Sequence, residues 1–249
     1  IPTLKNKGYK TVLTIHGSDW YQTYNRASLK PLIKQSLENI NHILYSGPKL
    51  NEDVEKIYPK LADSSTVAFN IVDTDKYKPA SLPEKVKLKN SFDWDLSKKH
   101  ALTVANIRHE KGVDLLVDTI VNNENLSDIH FHIIGSYDGS EYANTVLQKI
   151  KTNPYKNIEE IDPVIADKLI AASCGLPLLC TDVGGNRLVT DLGVGFISND
   201  FETSSPNDIL KMASNFIDYD AYTLNSNIKH HFSKETFKKR LLKVYTSIL

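Results

Sequence analysis

Short apolar runs rich in β-branched residues alternate along this chain with stretches whose apolar residues recur every three or four positions. Strands separated by helix-length segments do not pair through tight hairpins. They pair in parallel, with each helix serving as the crossover. The alternation therefore predicts an α/β protein with parallel sheets. Strands are expected at residues 11–15, 43–45 and 66–69. Helices are expected at 26–40, where Leu29, Leu32, Ile33, Leu37 and Ile40 share a face, and at 52–58, stopped by Pro59. Residues 76–100 break the pattern: seven lysines, two prolines and little periodicity read as a solvated surface connector and the best domain boundary. A polybasic membrane contact is the less favoured reading of the same segment. Beyond it the alternation resumes, with strands at 101–105, 131–134, 177–181 and 195–197. Helices are expected at 112–121, 141–150, 167–173 (closed by Gly175), 208–216 and 234–248.

Composition excludes several classes. With 249 residues, 41% of them hydrophobic, the chain is long enough to bury a substantial core. Thirty basic residues balance thirty acidic ones, so the chain is not a polycation built for nucleic-acid phosphates. The first hundred residues carry 16 basic and 11 acidic groups, and the remainder 14 and 19, which suggests two parts with different surfaces. Cys174 and Cys180 lack CxxC spacing, which argues against a disulfide scaffold or a zinc site and for reduced thiols in a cytoplasmic protein. The longest apolar run, residues 169–180, is broken by Gly175 and Pro177 and is too short to span a bilayer. No signal peptide is read at the start of the chain.

In an open parallel sheet, ligands bind beyond the carboxyl ends of the strands. Four such ends carry glycine or small polar residues, at 16–19, 106–112, 135–139 and 182–185, and together they suggest an anion-binding crevice. His130 and His132 alternate along a strand and read as structural, while His230 and His231 read as solvent-facing.

These segments carry a resemblance. Ala105-Asn-Ile-Arg-His-Glu-Lys111-Gly112-Val-Asp-Leu-Leu resembles the "KG" signature of retaining glycosyltransferases of family 4. Leu169-Ile-Ala-Ala-Ser-Cys-Gly175-Leu-Pro177-Leu-Leu-Cys-Thr-Asp-Val-Gly184-Gly185 resembles that family's helix, "CGLP" and "DVGG" stretch. Val12-Leu-Thr-Ile-His16-Gly17-Ser-Asp19 is similar to its "HGxD" loop, and Asn70-Ile-Val-Asp73 with Tyr77-Lys-Pro79 to its junction element. The four segments occur in the family's order. The resemblance implies a GT-B fold of two Rossmann-like lobes with parallel sheets facing a cleft. Residues 1–78 would be the remainder of the acceptor lobe, 79–230 the donor lobe, and 231–249 a helix packing back across the cleft. It implies transfer of a sugar from a nucleoside diphosphate sugar to an acceptor hydroxyl with retention at the anomeric carbon, as in hexosyltransferases, without a metal or other cofactor. Catalytic roles fall to His16, Lys111 and Asp162, and donor binding to Gly17, Asp19, Asn106, Gly135, Gly184 and Gly185. Lys111 beside Gly112 would place an ammonium at a helix start, where N–H groups and the helix dipole favour a phosphate. The acceptor would be a glycan, a lipid-linked glycan or a protein, and the location cytoplasmic, with room for peripheral association at the inner membrane face.

The chain also departs from the family. Asn106 stands where many members carry arginine, and Arg108 occupies a different slot. The two glutamates placed ahead of "CGLP" become Asp162 and Ile170. An isoleucine cannot hydrogen-bond a ribose, so a catalytically weak, glycosyltransferase-like binding or partner-stabilising protein is the alternative. A non-hydrolysing sugar-nucleotide epimerase fits the motifs less well. The family has further elements before Ile1 and between Ile158 and Asp162, so extra sequence and a chain break are expected there.

Overall fold

The computed structural model describes the chain except residues 18, 162–170, 173, 182–185 and 199–200, and the side chains of 160, 161, 201–203 and 217. The chain divides into two compact units: Ile1–Asp73 with residues 186–188 and Lys229–Leu249, and Thr74–Asp182 with Val189–Ile228.

The first unit is built on a parallel sheet of order β1-β2-β3, comprising Val12–Ile15, His42–Tyr45 and Ser65–Val67. The register pairs Val12 with His42 and Ile43 with Ser65. Helices α1 (Pro2–Asn6), α2 (Lys30–Leu37) and α3 (Pro48–Glu55) lie between or before the strands. All four residues of β2 are buried. Ile43 and Tyr45 join Ile15, Trp20, Leu37, Leu50, Val54 and Leu61 in one core. Leu44 faces the opposite way and packs with Ala68 and Val244 of α10 (Lys234–Ile248), alongside Phe237 and Leu241. Phe237, Leu241 and Val244 form the i, i+4, i+7 stripe that a half-buried helix requires.

The second unit carries a parallel sheet β4-β5-β6, comprising Lys99–Val104, Ile129–Ile134 and Ile158–Ile161, and a parallel pair β7-β8, Leu178–Thr181 with Gly195–Ser198. Helix α5 (Val113–Val121) buries Val113, Val117 and Ile120, again at i, i+4, i+7. It packs with Ile133, Ala143 and Val146, the last two from α6 (Glu141–Lys151). Short α7 (Leu188–Asp191) precedes β8.

Several expectations shift. The connector at 76–100 contains a helix, α4 (Leu82–Ser91), and β4 begins at Lys99. The Glu84 carboxylate accepts the Ser81 N–H at 2.8 Å and the Ser81 hydroxyl at 2.6 Å, an N-terminal cap that fixes where α4 starts. Helix α3 begins at Pro48, a residue suited to a first helical turn, so it lies upstream of the expected 52–58. Helix α8 (Phe201–Asn215) starts before Pro206, and α9 (Ala221–Phe232), unanticipated, buries Leu224 and Ile228. Ile158–Ile161, where no strand was expected, runs as one strand registered on Phe131–Ile134. Asp162 lies outside the described residues.

Candidate functional site

The carboxyl ends of β4 and β5 lead into loops that run side by side. Ile107, completely buried, forms a parallel bridge with Tyr137, and its N–H donates to the Ser136 carbonyl at 2.9 Å. Asn106 Oδ1 accepts from both the N–H and the hydroxyl of Ser136, at 3.1 and 3.0 Å. Asn106 therefore fixes one strand-end loop against the other. Gly135 is required by the same packing: a Cβ there would run into the Ala105 carbonyl. Close approach of two backbones, rather than of a ligand, explains this glycine.

Lys111 ends a single 3₁₀ turn, His109–Lys111, and Gly112 caps α5 with φ +60°, a left-handed conformation that a side chain adopts only at a cost. Lys111 is exposed and makes no ion pair among the described residues. Arg108, also exposed, lies 4.0 Å from Asp138 across the two loops. The Asp138 carboxyl is held below its ordinary range chiefly by hydrogen bonds from Ser140, whose hydroxyl in turn accepts the Ala143 N–H at 3.2 Å and caps α6. The starts of α5 and α6 are joined where the Tyr142 hydroxyl donates to Asp114 Oδ1 at 2.8 Å. Burial, then Asp114, raises the Tyr142 pKa. Two solvent-facing cations, Arg108 and Lys111, and the starts of α5 and α6 thus lie beyond one end of this sheet, with Glu110, Asp114 and Asp138 among them.

In the first unit, His16 follows β1 and its N–H donates to Asp19 Oδ2 at 3.0 Å. Gly17 lies close to the Tyr21 ring and leads into a helical turn, Asp19–Tyr24. Trp20 is buried there and stacks on Tyr24 with ring centroids 4.1 Å apart. Sequence reasoning missed the neighbouring cluster in which Asp53 accepts from Tyr21 at 2.7 Å and Lys49 at 2.6 Å. The Lys49 and Tyr21 hydrogen bonds hold the Asp53 carboxyl below its ordinary range. Burial and Asp53 push Tyr21 up to about 12.

The structure brings Asn106, Gly135 and Lys111 to the strand ends of one unit, and His16, Gly17 and Asp19 to a strand end of the other. Asp162, Ile170, Gly184 and Gly185 lie outside the described residues. Cys174 and Cys180 form no disulfide among the described residues, and burial raises the Cys174 pKa. No described helix is long and apolar enough to cross a membrane.

No protein-family model matches the sequence, and no curated protein matches it. Solved structures do match. The chain is similar to a glycosyltransferase from Rickettsia africae, with 15% identity and a TM-score of 0.73 over 99% of this chain and 73% of that one. It is similar to Anabaena Alr3699/HepE in complex with UDP, with 14% identity and a TM-score of 0.79 over 99% and 74% of the two chains. WaaG, a glycosyltransferase involved in lipopolysaccharide biosynthesis, matches with 14% identity and a TM-score of 0.65 over 98% of this chain and 79% of its own. These likenesses show the fold: an α/β protein of GT-B architecture.

Proposed function

We propose that this chain is a glycosyltransferase that moves a sugar from a nucleoside diphosphate sugar to an acceptor hydroxyl, with retention of anomeric configuration. The observation that carries the reading is Lys111: an exposed ammonium at the turn into α5, beyond the carboxyl end of β4, in a chain whose fold is that of glycosyltransferases. In this reading Lys111 holds the donor diphosphate and stabilises the charge that grows on it as the sugar leaves. Asn106 keeps the strand-end loops in register beneath it, and Gly135 permits that register. Gly184, Gly185 and Asp162 complete the proposed donor side. His16, with Gly17 and Asp19, acts from the first unit on the transferred sugar and the acceptor. The chemistry needs no metal, because Lys111 supplies the countercharge to the diphosphate. Acceptors among glycans, lipid-linked glycans and proteins fit the reading equally, as does a cytoplasmic protein working at a membrane face.

Structures of HepE hold UDP and UDP-glucose, so uridine diphosphate sugars are the first donors to test. A thermal-shift screen of nucleoside diphosphate sugars, followed by turnover assays, is the direct experiment. Lys111→Ala is expected to lower kcat/KM about 10- to 100-fold, the kinetic equivalent of losing a charge-assisted hydrogen bond of roughly 1.5–3 kcal/mol. An unchanged kcat/KM in a folded variant removes Lys111 from the site. Absence of both nucleotide binding and turnover in the unmodified chain removes the reading itself.

A further inference from the structure

We propose that His100, His130 and His132 form a binding site for a divalent transition-metal ion of the zinc class, on one face of the β4-β5-β6 sheet. Parallel pairing sets His100 opposite His130, and His132 opposite Glu159. Because side chains alternate along a strand, all four residues share a face. One ring nitrogen from each histidine lies within 4.8 Å of the other two. Bonds of about 2.05 Å in a tetrahedral zinc site separate ligand nitrogens by about 3.3 Å, so small side-chain rotations close the set.

Hydrogen bonding prepares two of the rings. His100 Nε2 lies 2.8 Å from the Asp95 carbonyl, which can only accept, so that nitrogen carries the proton. His132 Nδ1 lies 3.0 Å from Glu159 Oε2, and a carboxylate likewise fixes the proton on the ring. The remaining nitrogens, His100 Nδ1 and His132 Nε2, face each other at 2.8 Å. In neutral rings these are two lone pairs pointed at one another, an arrangement that a cation between them resolves. His132 is 1% exposed, so the cluster reaches into the packed interior of the sheet face. Outer nitrogens held by a carbonyl and a carboxylate are the usual support of metal-binding histidines. Trp94 stacks on His132 at 3.9 Å and on His100 at 4.8 Å, covering the cluster with an aromatic wall. Three imidazoles suit zinc, cobalt, nickel or copper and not magnesium or calcium.

The site lies back along the strands from the proposed donor loops: His100 is six residues, about 20 Å, from Asn106, and His132 three residues, about 10 Å, from Gly135. An ion there would tie the segment before β4, through Asp95 and Trp94, to the sheet.

The test uses the full-length, untagged chain after chelator treatment. Titration with Zn2+ by calorimetry is expected to show one saturable equivalent and a rise in thermal midpoint that EDTA reverses. Co2+ is expected to give the intense visible absorption of tetrahedral coordination. His130→Asn, at a half-buried position, is expected to weaken Zn2+ binding at least tenfold without moving the metal-free midpoint, and His100→Asn serves the same purpose should that variant fail to fold. Glu159→Ala is expected to weaken it roughly 10- to 100-fold through loss of ring support. No saturable binding, equal binding of Mg2+, or full Zn2+ affinity in the histidine variants would overturn the proposal.

Discussion

The two three-stranded sheets share a topology but use their faces differently. In the first unit both faces of β2 are apolar: Ile43 and Tyr45 pack against residues from α2 and α3, and Leu44 against α10. In the second unit one face of β5 is apolar, with Ile133 buried among residues of α5 and α6 and Phe131 among residues of α5 and α8. The other carries His130 and His132, and Trp94 stacks on His132. The polar groups differ too. The Tyr45 hydroxyl is buried without a hydrogen-bond partner among the described residues, whereas the buried His132 donates from Nδ1 to Glu159 and turns Nε2 toward His100 Nδ1. One parallel strand pattern thus supports either a closed apolar sandwich or a cluster of polar rings. What packs on the second face decides which.

The contrast can be broken most severely at its apolar end. Leu44→Ala is expected to cost about 2–5 kcal/mol in urea unfolding of the first unit, because it leaves a cavity against Val244 and Ala68. A loss below about 1 kcal/mol would show that α10 does not close that face. Gly135→Ala is expected to cost about 1–3 kcal/mol in the second unit and to weaken nucleotide binding with it, since its Cβ pushes on the Ala105 backbone that leads to Asn106. Stability loss without a change in binding would separate the loop register from the proposed donor site. Tyr45→Phe is expected to raise stability by about 1 kcal/mol, because it removes an unpaired buried hydroxyl while keeping the ring. A destabilised variant would reveal a partner for that hydroxyl.

The smallest effect is electrostatic. Hydrogen bonds from Lys49 and Tyr21 depress the folded-state pKa of Asp53. The stability this contributes is complete above the ordinary aspartate value of about 3.9 and is lost as pH falls through the lower, folded value. The pair is partly exposed, so the contribution is below about 1 kcal/mol. Asp53→Asn should flatten the acid limb of the stability curve by that amount, and an unaltered limb would place the acid sensitivity elsewhere.

Much of this was legible in the residues themselves. Strand positions other than β6 (Ile158–Ile161), which has no apolar run and was not expected, followed from β-branched apolar runs bounded by glycine and proline, and they differ from the observed bounds by one or two residues at most ends. Helix ends were harder. Ser81-Leu-Pro-Glu84 is a capping signal, yet the lysines around it make the segment read as a connector. Pro48 and Pro31 mark helix starts, although proline just after a strand also reads as a stop. Among the candidate site residues, His16-Gly17 was visible because it follows a strand directly, and Lys111-Gly112 because it stands at the start of a helix. The Asn106–Ser136 link and the Tyr21–Asp53–Lys49 cluster were not, since their partners lie about 30 residues apart.

The sequence alone determined the alternation, and through it the parallel α/β class, because periodicity and turn chemistry are local properties of neighbouring residues. Only tertiary structure decided the neighbours of each face. His100 stands beside His132 because β4 and β5 pair in one particular register, and a slip of one residue would turn His100 to the opposite face of the sheet. Val244 covers Leu44 because a helix more than 190 residues downstream returns to the first sheet. Such juxtapositions depend on contacts across long sequence separations, which no local pattern of residues encodes.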